Sequence, residues 1–310
     1  MISASAPGKI ILFGEHAVVY GRPALAVPVT QVLATATVSE NSRGGVWIEA
    51  PNIALSSALN QLAPDHPLVA VINSVFSTLG IARRPACTVY LQSTIPMAAG
   101  LGSGAAVSVA IVRALSAYLG KPLTDPQVNG LAFQAEKHYH GTPSGIDNTV
   151  VTFARPVYFV KGQPIKTFRV GASFTLVIGD TGISAPTKES VGAVQSLHEA
   201  DPARWEKVFN QVGEIVWDAR QAIERGDTNA LGTLMDANHA LLQEMTVSCE
   251  ELDNLTETAR KAGALGAKLS GGGRGGNMIA LVLKEKASAM AETLLAAGAK
   301  RTIITTVRAR

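Results

Sequence analysis

A glycine-rich segment before a long apolar stretch carries the pattern best suited to binding an anion. It runs from Pro96 to Ala106 as Pro-Met-Ala-Ala-Gly-Leu-Gly-Ser-Gly-Ala-Ala. Glycine allows a positive φ and a close approach of backbone to ligand, and a helix N-terminus offers free N–H groups. The segment fits a phosphate loop and equally an ordinary strand-to-helix turn. It has neither the lysine that ends a Walker A loop nor G-x-G-x-x-G spacing.

A second glycine-rich loop lies near the end of the chain, between two apolar strand-like stretches. It reads Ser270-Gly-Gly-Gly-Arg274-Gly-Gly-Asn277. So much glycine is costly in backbone entropy, so a simple flexible connector is the weaker interpretation. A backbone that passes close to substrate and phosphates explains the composition better. The side chain of Arg274 could contact phosphate or face water, and the sequence leaves both open.

Three charged residues could serve phosphoryl transfer, which needs a metal-binding carboxylate, a cation and a group that orients the attacking hydroxyl. Asp147 follows a Pro-Ser-Gly turn, Lys9 begins a strand, and Glu136 lies in a helical stretch. From these residues alone, the ordinary structural interpretation is favoured for each of them. An aspartate before asparagine commonly forms a turn, and the other two side chains could simply be solvated.

Hydrophobic periodicity predicts the elements that must position these residues. Apolar spacing of 3.6 residues and start or stop signals predict helices at about 68–79, 105–119, 124–139, 202–223, 228–245 and 285–297. A further helix is predicted from Ser248, with Glu251 completing a capping box. Short apolar or β-branched runs predict strands at 10–13, 24–38, 88–92, 153–160, 174–178, near 267, 278–283 and 302–307. The pattern of predicted elements changes in the second half of the chain, and this change predicts two domains, 1–170 and 171–310.

Composition narrows the class of protein. The chain has 310 residues, 47% hydrophobic and 16% charged, with a formal net charge of +3. Such a chain buries a large core, and its scattered basic residues give no footprint for nucleic acid. Two distant cysteines predict neither a disulfide framework nor a zinc site. No signal peptide or membrane span is recognisable, so we expect a cytoplasmic protein.

Three segments in order resemble the GHMP kinases. They are the segment from Ala6 to Gly21, which contains Gly-Glu-His-Ala-Val-Val, and the two glycine loops. Within that superfamily, the first segment and the stretch from Ala132 to Asn148 are similar to the branch that phosphorylates mevalonate. The resemblance covers essentially the whole chain. It implies a mixed α/β fold of the α+β type. The N-terminal domain would be ribosomal protein S5 domain 2-like and the C-terminal domain ferredoxin-like.

The resemblance also implies roles for individual residues. Asp147 and Lys9 correspond to the catalytic carboxylate and cation, and Glu136 with Ser103 to the Mg²⁺ ligands. Glu15, His16 and Thr187 correspond to residues that contact the substrate, which would be mevalonate. The residues corresponding to the ATP-binding loops are Gly100, Leu101, Gly102, Ser103, Gly104, Ala105, Gly271, Gly272 and Gly273. Dimers are common in the family, so a homodimer is compatible with the resemblance.

The sequence departs from the family pattern at Gly104, where many members carry a second serine that supplies a hydroxyl to the metal. Either Ser103 takes that place or water does. Other functions stay open at this point. They are a GHMP kinase for another small hydroxylated acid or sugar, and a noncatalytic ligand sensor on the same fold. A diphosphomevalonate decarboxylase fits the N-terminal segment poorly.

Overall fold

The structure is a computed structural model that describes residues 1–96, 99–140, 144–164, 166–184 and 187–309, without the side chains of 138–140 and 188. The chain forms two compact units. Unit 1 comprises Met1–Lys9, Val32–Met97 and Leu101–Ala154. Unit 2 comprises Ile10–Gln31, Ala98–Gly100 and Arg155–Arg310. The boundary predicted near residue 170 stays a prediction, because a sequence domain need not coincide with a compact unit.

Helices and strands follow one another in groups along the chain, as expected for a mixed α/β fold. The helices are α1 Pro67–Thr78, α2 Ser103–Tyr118, α3 Asp125–His140, α4 Ile146–Phe153, α5 Thr187–Ala200, α6 Pro202–Arg225, α7 Thr228–Glu244, α8 Glu250–Lys261 and α9 Ala287–Ala296. The strands are β1 Ile2–Phe13, β2 Ala24–Glu40, β3 Val46–Ala50, β4 Leu55–Ala58, β5 Cys87–Ser93, β6 Val157–Phe159, β7 Lys166–Thr167, β8 Phe174–Asp180, β9 Gly266–Ser270, β10 Asn277–Val282 and β11 Arg301–Val307.

Unit 1 packs helices on a sheet. β3 pairs with β4 in antiparallel and with β5 in parallel orientation, and β5 pairs antiparallel with the second half of β2. The start of β1 also pairs with β2. Helix α2 contacts α1, α3, α4 and β5, so it is central to this unit. Its alanine and valine residues are buried on most sides, as expected of a helix that is apolar all round.

Unit 2 contains a four-stranded antiparallel sheet of order β11-β8-β10-β9. Two of its helices, α6 and α8, are strongly amphipathic. Helix α6 begins at Pro202, where the Asp201 side chain accepts a hydrogen bond from the Arg204 N–H, and it ends at Gly226 in the left-handed conformation. These are the start and stop signals that the sequence displays. In the same unit, β6 pairs with the beginning of β2 and with β7.

Two local predictions differ from the structure. Helix α4, which has Asp147 in its first turn, was not predicted, and the strand predicted over 153–160 is observed only as β6, Val157–Phe159. A carboxylate also favours the first turn of a helix, where free N–H groups point outward, so turn and helix start share one signal. The capping box at Ser248 is absent. Helix α8 starts at Glu250 without a side-chain cap, and Ser248 bonds instead to Asp253.

Most long predicted helices and strands are confirmed within a few residues. Helix α5 was not predicted. Its run of Glu, Gln, Ser and His residues lacks a continuous apolar stripe. No helix among the described residues combines the length and the hydropathy that a membrane crossing needs.

Candidate active site

In unit 1, Lys9 and Asp147 form an ion pair. The Lys9 Nζ lies 3.0 Å from Asp147 Oδ1, and the lysine is buried while the aspartate is half-buried. The Lys9 N–H also donates to the Leu101 carbonyl at 2.9 Å, which ties β1 to the glycine loop. The two predicted catalytic residues are therefore brought together although they are distant in sequence.

Gly102 makes this arrangement possible. Its φ is +71°, and a Cβ atom there would lie 2.8 Å from Cγ of Lys9 and 3.7 Å from Oδ2 of Asp147. Both the backbone conformation and the space exclude an unstrained side chain. The glycine therefore lets the loop backbone lie directly against the ion pair.

The N-terminal turn of α2 is the place where the sequence predicts an anion site. The first N–H groups of the helix, those of Ser103, Gly104 and Ala105, have no carbonyl four residues earlier within the helix. The Gly102 carbonyl accepts the first helical bond, from the Ala106 N–H at 3.0 Å. The free N–H groups and the helix dipole together attract a phosphate at this end of α2.

Gly104 has an ordinary helical φ, so it is not required for backbone conformation. A Cβ atom at this position would lie 3.3 Å from Oε1 of Glu136, which is buried on α3. The Glu136 carboxylate thus borders the first turn of α2. Ser103 is half-buried at the start of the same turn.

In unit 2, Glu15 forms an ion pair with Lys268 of β9, and this partner was missed in the sequence. Both side chains are almost completely buried, and the Lys268 ammonium also donates to the Leu269 carbonyl. Burial lowers the pKa of Lys268, while the adjacent Glu15 carboxylate opposes that shift. A lysine within an apolar run gave no signal of burial, because its partner lies 253 residues away.

His16 occupies a strained turn. Its φ of 62° and ψ of −52° are rare for a non-glycine residue, and the Ala17 N–H donates to the Glu15 carbonyl at 2.7 Å. This is the γ-turn with positive φ at its centre, a conformation that must be held by its surroundings. Here the His16 ring is held by the Gly272 carbonyl, 3.0 Å from Nε2.

The protonation state of His16 follows from this contact. A carbonyl can only accept, so Nε2 carries the proton. Burial, with smaller contributions from the cations Arg274 and Lys268, lowers the pKa of His16 to about 4. The ring is therefore neutral at pH 7 and acts through hydrogen bonds rather than through charge.

Gly272 also lies beside Thr187. A Cβ atom at Gly272 would be 3.1 Å from the hydroxyl oxygens of Thr187 and Ser190, both on α5. The predicted substrate residues His16 and Thr187 thus both adjoin this glycine. At Arg274, the backbone N–H donates to the Val247 carbonyl at 2.8 Å, and Nε lies 3.4 Å from the Thr246 carbonyl.

Parts of three predicted motifs lie outside the described residues. These are Met97 and Ala98 of the first glycine loop, residues 141–143 before Asp147, and Ala185 with Pro186 before Thr187. The side chains of His138, Tyr139, His140 and Lys188 are also outside. Within the described part of the chain, no group of three or more His, Cys, Asp or Glu residues is arranged to hold a metal ion.

Comparison with known proteins gives the family. The GHMP kinases N terminal domain matches residues 67–155, and the GHMP kinases C terminal domain matches residues 219–300. A mevalonate kinase from Thermococcus gammatolerans is 37% identical, over 96% of this chain and 93% of that relative. The chain belongs to the GHMP kinases. As a GHMP kinase it is an ATP-dependent phosphotransferase, and its predicted mixed α/β fold is confirmed.

Solved structures of GHMP kinases are similar to this chain in fold. The crystal structure of L. major mevalonate kinase in complex with R-mevalonate has 31% identity and a TM-score of 0.86, covering 99% of this chain and 96% of that one. The mevalonate kinase from methicillin-resistant Staphylococcus aureus MRSA252 has 31% identity and a TM-score of 0.75, covering 98% and 97% of the two chains.

Proposed function

We propose that this protein transfers the γ-phosphate of ATP to the primary hydroxyl of (R)-mevalonate, giving 5-phosphomevalonate and ADP. The observation that carries the proposal is the Lys9–Asp147 ion pair against Gly102, at the start of the helix that offers a phosphate site. The relatives named as mevalonate kinases support the choice of substrate.

In this mechanism the substrate hydroxyl oxygen attacks the γ-phosphorus, and the bond from that phosphorus to the bridging oxygen breaks to release ADP. Asp147 orients the hydroxyl and accepts its proton late, when the oxygen has become acidic. Lys9 stabilises the negative charge that develops on that oxygen. A buried cation acts strongly here because little water screens it.

The glycine loops hold the nucleotide. The N–H groups of Ser103, Gly104 and Ala105 bind phosphate oxygens in this proposal, with Gly100, Leu101 and Gly102 lining the approach. In the second loop, Gly271, Gly272 and Gly273 let the backbone pass close to the ligands. Positioning and charge neutralisation account for most catalysis of phosphoryl transfer, so a backbone cradle suits the reaction.

A magnesium ion is the expected partner of ATP, and the donors fit it. Mg²⁺ prefers oxygen ligands and usually takes few carboxylates from the protein, keeping several waters. Glu136 and Ser103 would hold the ion, since the carboxylate borders the first turn of α2 and the hydroxyl begins it. When bound, the ion neutralises phosphate charge. The small donor set is consistent with the lack of a larger acidic cluster among the described residues.

Glu15, His16 and Thr187 are the proposed substrate contacts. Neutral His16 suits a hydroxyl partner better than it suits a carboxylate, because its ring carries no charge at pH 7. Glu15 is held by Lys268, and Thr187 is exposed at the start of α5. We also propose a cytoplasmic enzyme, since its two cysteines are free thiols, and a homodimer, which size-exclusion chromatography with light scattering would test.

A coupled assay of ADP release tests the proposed reaction. Purified protein with ATP and Mg²⁺ is offered mevalonate, phosphomevalonate, homoserine and galactose at equal concentrations. We expect mevalonate to give the highest kcat/KM by a wide margin. Faster turnover of another member of the panel would reassign the substrate, and ligand binding without turnover of any member would favour a sensor.

A further inference from the structure

The base of the second glycine loop is closed by two polar residues that reach other segments of unit 2. Ser270 and Asn277 are antiparallel partners at the ends of β9 and β10. The Ser270 hydroxyl donates to the Ile11 carbonyl of β1 at 2.6 Å. The Asn277 side-chain amide donates to the carbonyl of Ala99, in the first glycine loop. One pair of residues thus ties the hairpin to both other motif segments.

The contact at Asn277 is buried and has a defined direction. Its side chain is about 2% exposed, and the carbonyl of Ala99 can only accept, so Nδ2 must face it. The Asn277 Oδ1 atom is buried without a hydrogen-bond partner among the described residues. Loss of a buried hydrogen bond is costly because the partner group stays desolvated. Asn277 therefore holds the Ala99 carbonyl firmly in place.

Fixing that carbonyl also fixes the next N–H group. In a trans peptide the C=O and the following N–H point in opposite directions, so the Gly100 N–H points away from Asn277. Gly100 has a φ of +69°, and a Cβ atom there would contact Nδ2 of Asn277 at 3.8 Å. The orientation of this peptide thus depends on a side chain that follows the other glycine loop.

We propose that Asn277 is a positioning residue for the nucleotide, which fixes the Ala99–Gly100 peptide so that the Gly100 N–H faces a phosphate oxygen. The proposal rests on the proposed function, because it takes the first glycine loop as the ATP site. It assigns to Asn277 an effect on nucleotide binding that is separate from binding of the phosphate acceptor.

The isosteric variant Asn277→Asp tests the proposal, with Asn277→Ala as a second variant. At pH 8.5 the introduced carboxylate cannot donate a hydrogen bond, and it repels the Ala99 carbonyl. We expect KM for ATP to rise by about ten-fold or more in both variants, the size of effect typical for one buried hydrogen bond. KM for mevalonate should change less than two-fold.

The pH dependence separates the two variants. Burial raises the pKa of a carboxyl group, and the protonated group can donate to the Ala99 carbonyl as the native amide does. As pH falls from 8.5 to 6, KM for ATP in Asn277→Asp should therefore approach that of the wild type. Asn277→Ala has no group to protonate, so its raised KM for ATP should persist over the same range.

The control is Asn238→Ala. Asn238 is a fully buried asparagine on α7 whose polar side-chain atoms have no hydrogen-bond partner among the described residues. This variant should leave KM for ATP unchanged whatever its melting temperature. Wild-type turnover with mevalonate tests the proposed function itself. If the wild type is active and folded Asn277→Asp and Asn277→Ala both keep their KM for ATP within two-fold, the positioning role is wrong while the function stands. Equal rises in KM for ATP and mevalonate would also overturn it.

Discussion

Alanine at position 102 would introduce a methyl group 2.8 Å from Cγ of Lys9. Ordinary van der Waals contact begins near 3.4 Å, so the lysine or the loop must move by about 0.6 Å. The Lys9–Asp147 contact of 3.0 Å cannot be kept without a compensating shift. Displacements near 1 Å in a catalytic arrangement cost about 100-fold in rate, so we expect kcat to fall by about 10- to 100-fold.

A second cost of Gly102→Ala comes from its positive φ, about 1–2 kcal/mol of stability for a residue with a Cβ atom. Gly120 isolates that cost. It has the same φ of +71°, and a Cβ atom there would meet nothing within 4 Å. Gly120→Ala should therefore lose similar stability in urea unfolding and keep the wild-type kcat.

The assay is steady-state ADP release with saturating ATP and mevalonate, alongside urea unfolding of both variants. A kcat for Gly102→Ala within three-fold of the wild type would refute the steric argument. A comparable loss of kcat in Gly120→Ala would mean that stability, rather than displacement of Lys9, limits activity.

Three further predictions concern ionisable side chains. Asp147→Asn and Lys9→Met should each lower kcat by about 100-fold or more, because both residues act on charge that develops in the transition state. Titration calorimetry should still detect ATP binding to both variants. A raised KM with unchanged kcat would show that the two residues only hold substrate. Lys268→Met should destabilise the protein by about 3–5 kcal/mol, because it leaves the Glu15 carboxylate buried without a counter-ion. Adding Glu15→Gln should restore much of the free energy of unfolding, and failure of the double variant to do so would contradict a pairwise origin. Burial lowers the pKa of His239 to about 4, so the unfolded chain binds more protons between pH 6.5 and 4. The free energy of unfolding should therefore fall as the pH decreases from 7.5 to 5, and His239→Gln should lose that part of the pH dependence in urea titrations.

The sequence predicts elements well where several local signals agree. Helix α6 combines an Asp201 cap, an apolar stripe and a terminal glycine, and its predicted and observed bounds nearly coincide. Helix α4 has only eight residues, and its Asp-Asn start is also a turn signal, so local pattern could not separate the two. The predicted capping box does not form, because the Ser248 hydroxyl donates its hydrogen bond to the Asp253 carboxylate instead.

The site residues likewise divide into those with a signal in the sequence and those whose role depends on distant contacts. Glycine spacing before α2 fitted a phosphate loop and an ordinary turn equally, and the family resemblance indicated Lys9 and Asp147, whose contact the structure contains. Lys268 and Asn277 could not be predicted, because their importance lies in contacts with residues 253 and 178 positions away. Such contacts depend on tertiary packing, which no local periodicity encodes. The roles of the individual site residues remain predictions for the variants described above.

The discontinuous make-up of unit 2 has a consequence for synthesis of the chain. Residues 10–31 belong to this unit together with residues 155–310, whereas unit 1 has all its residues once position 154 is made. The Glu15 carboxylate therefore cannot form its ion pair until the ribosome has added Lys268. Contacts of such long sequence separation form slowly, and the segment 10–31 is largely apolar. Folding of unit 2 is thus completed late, and a nascent chain stalled between these points exposes a hydrophobic strand to aggregation or to chaperones.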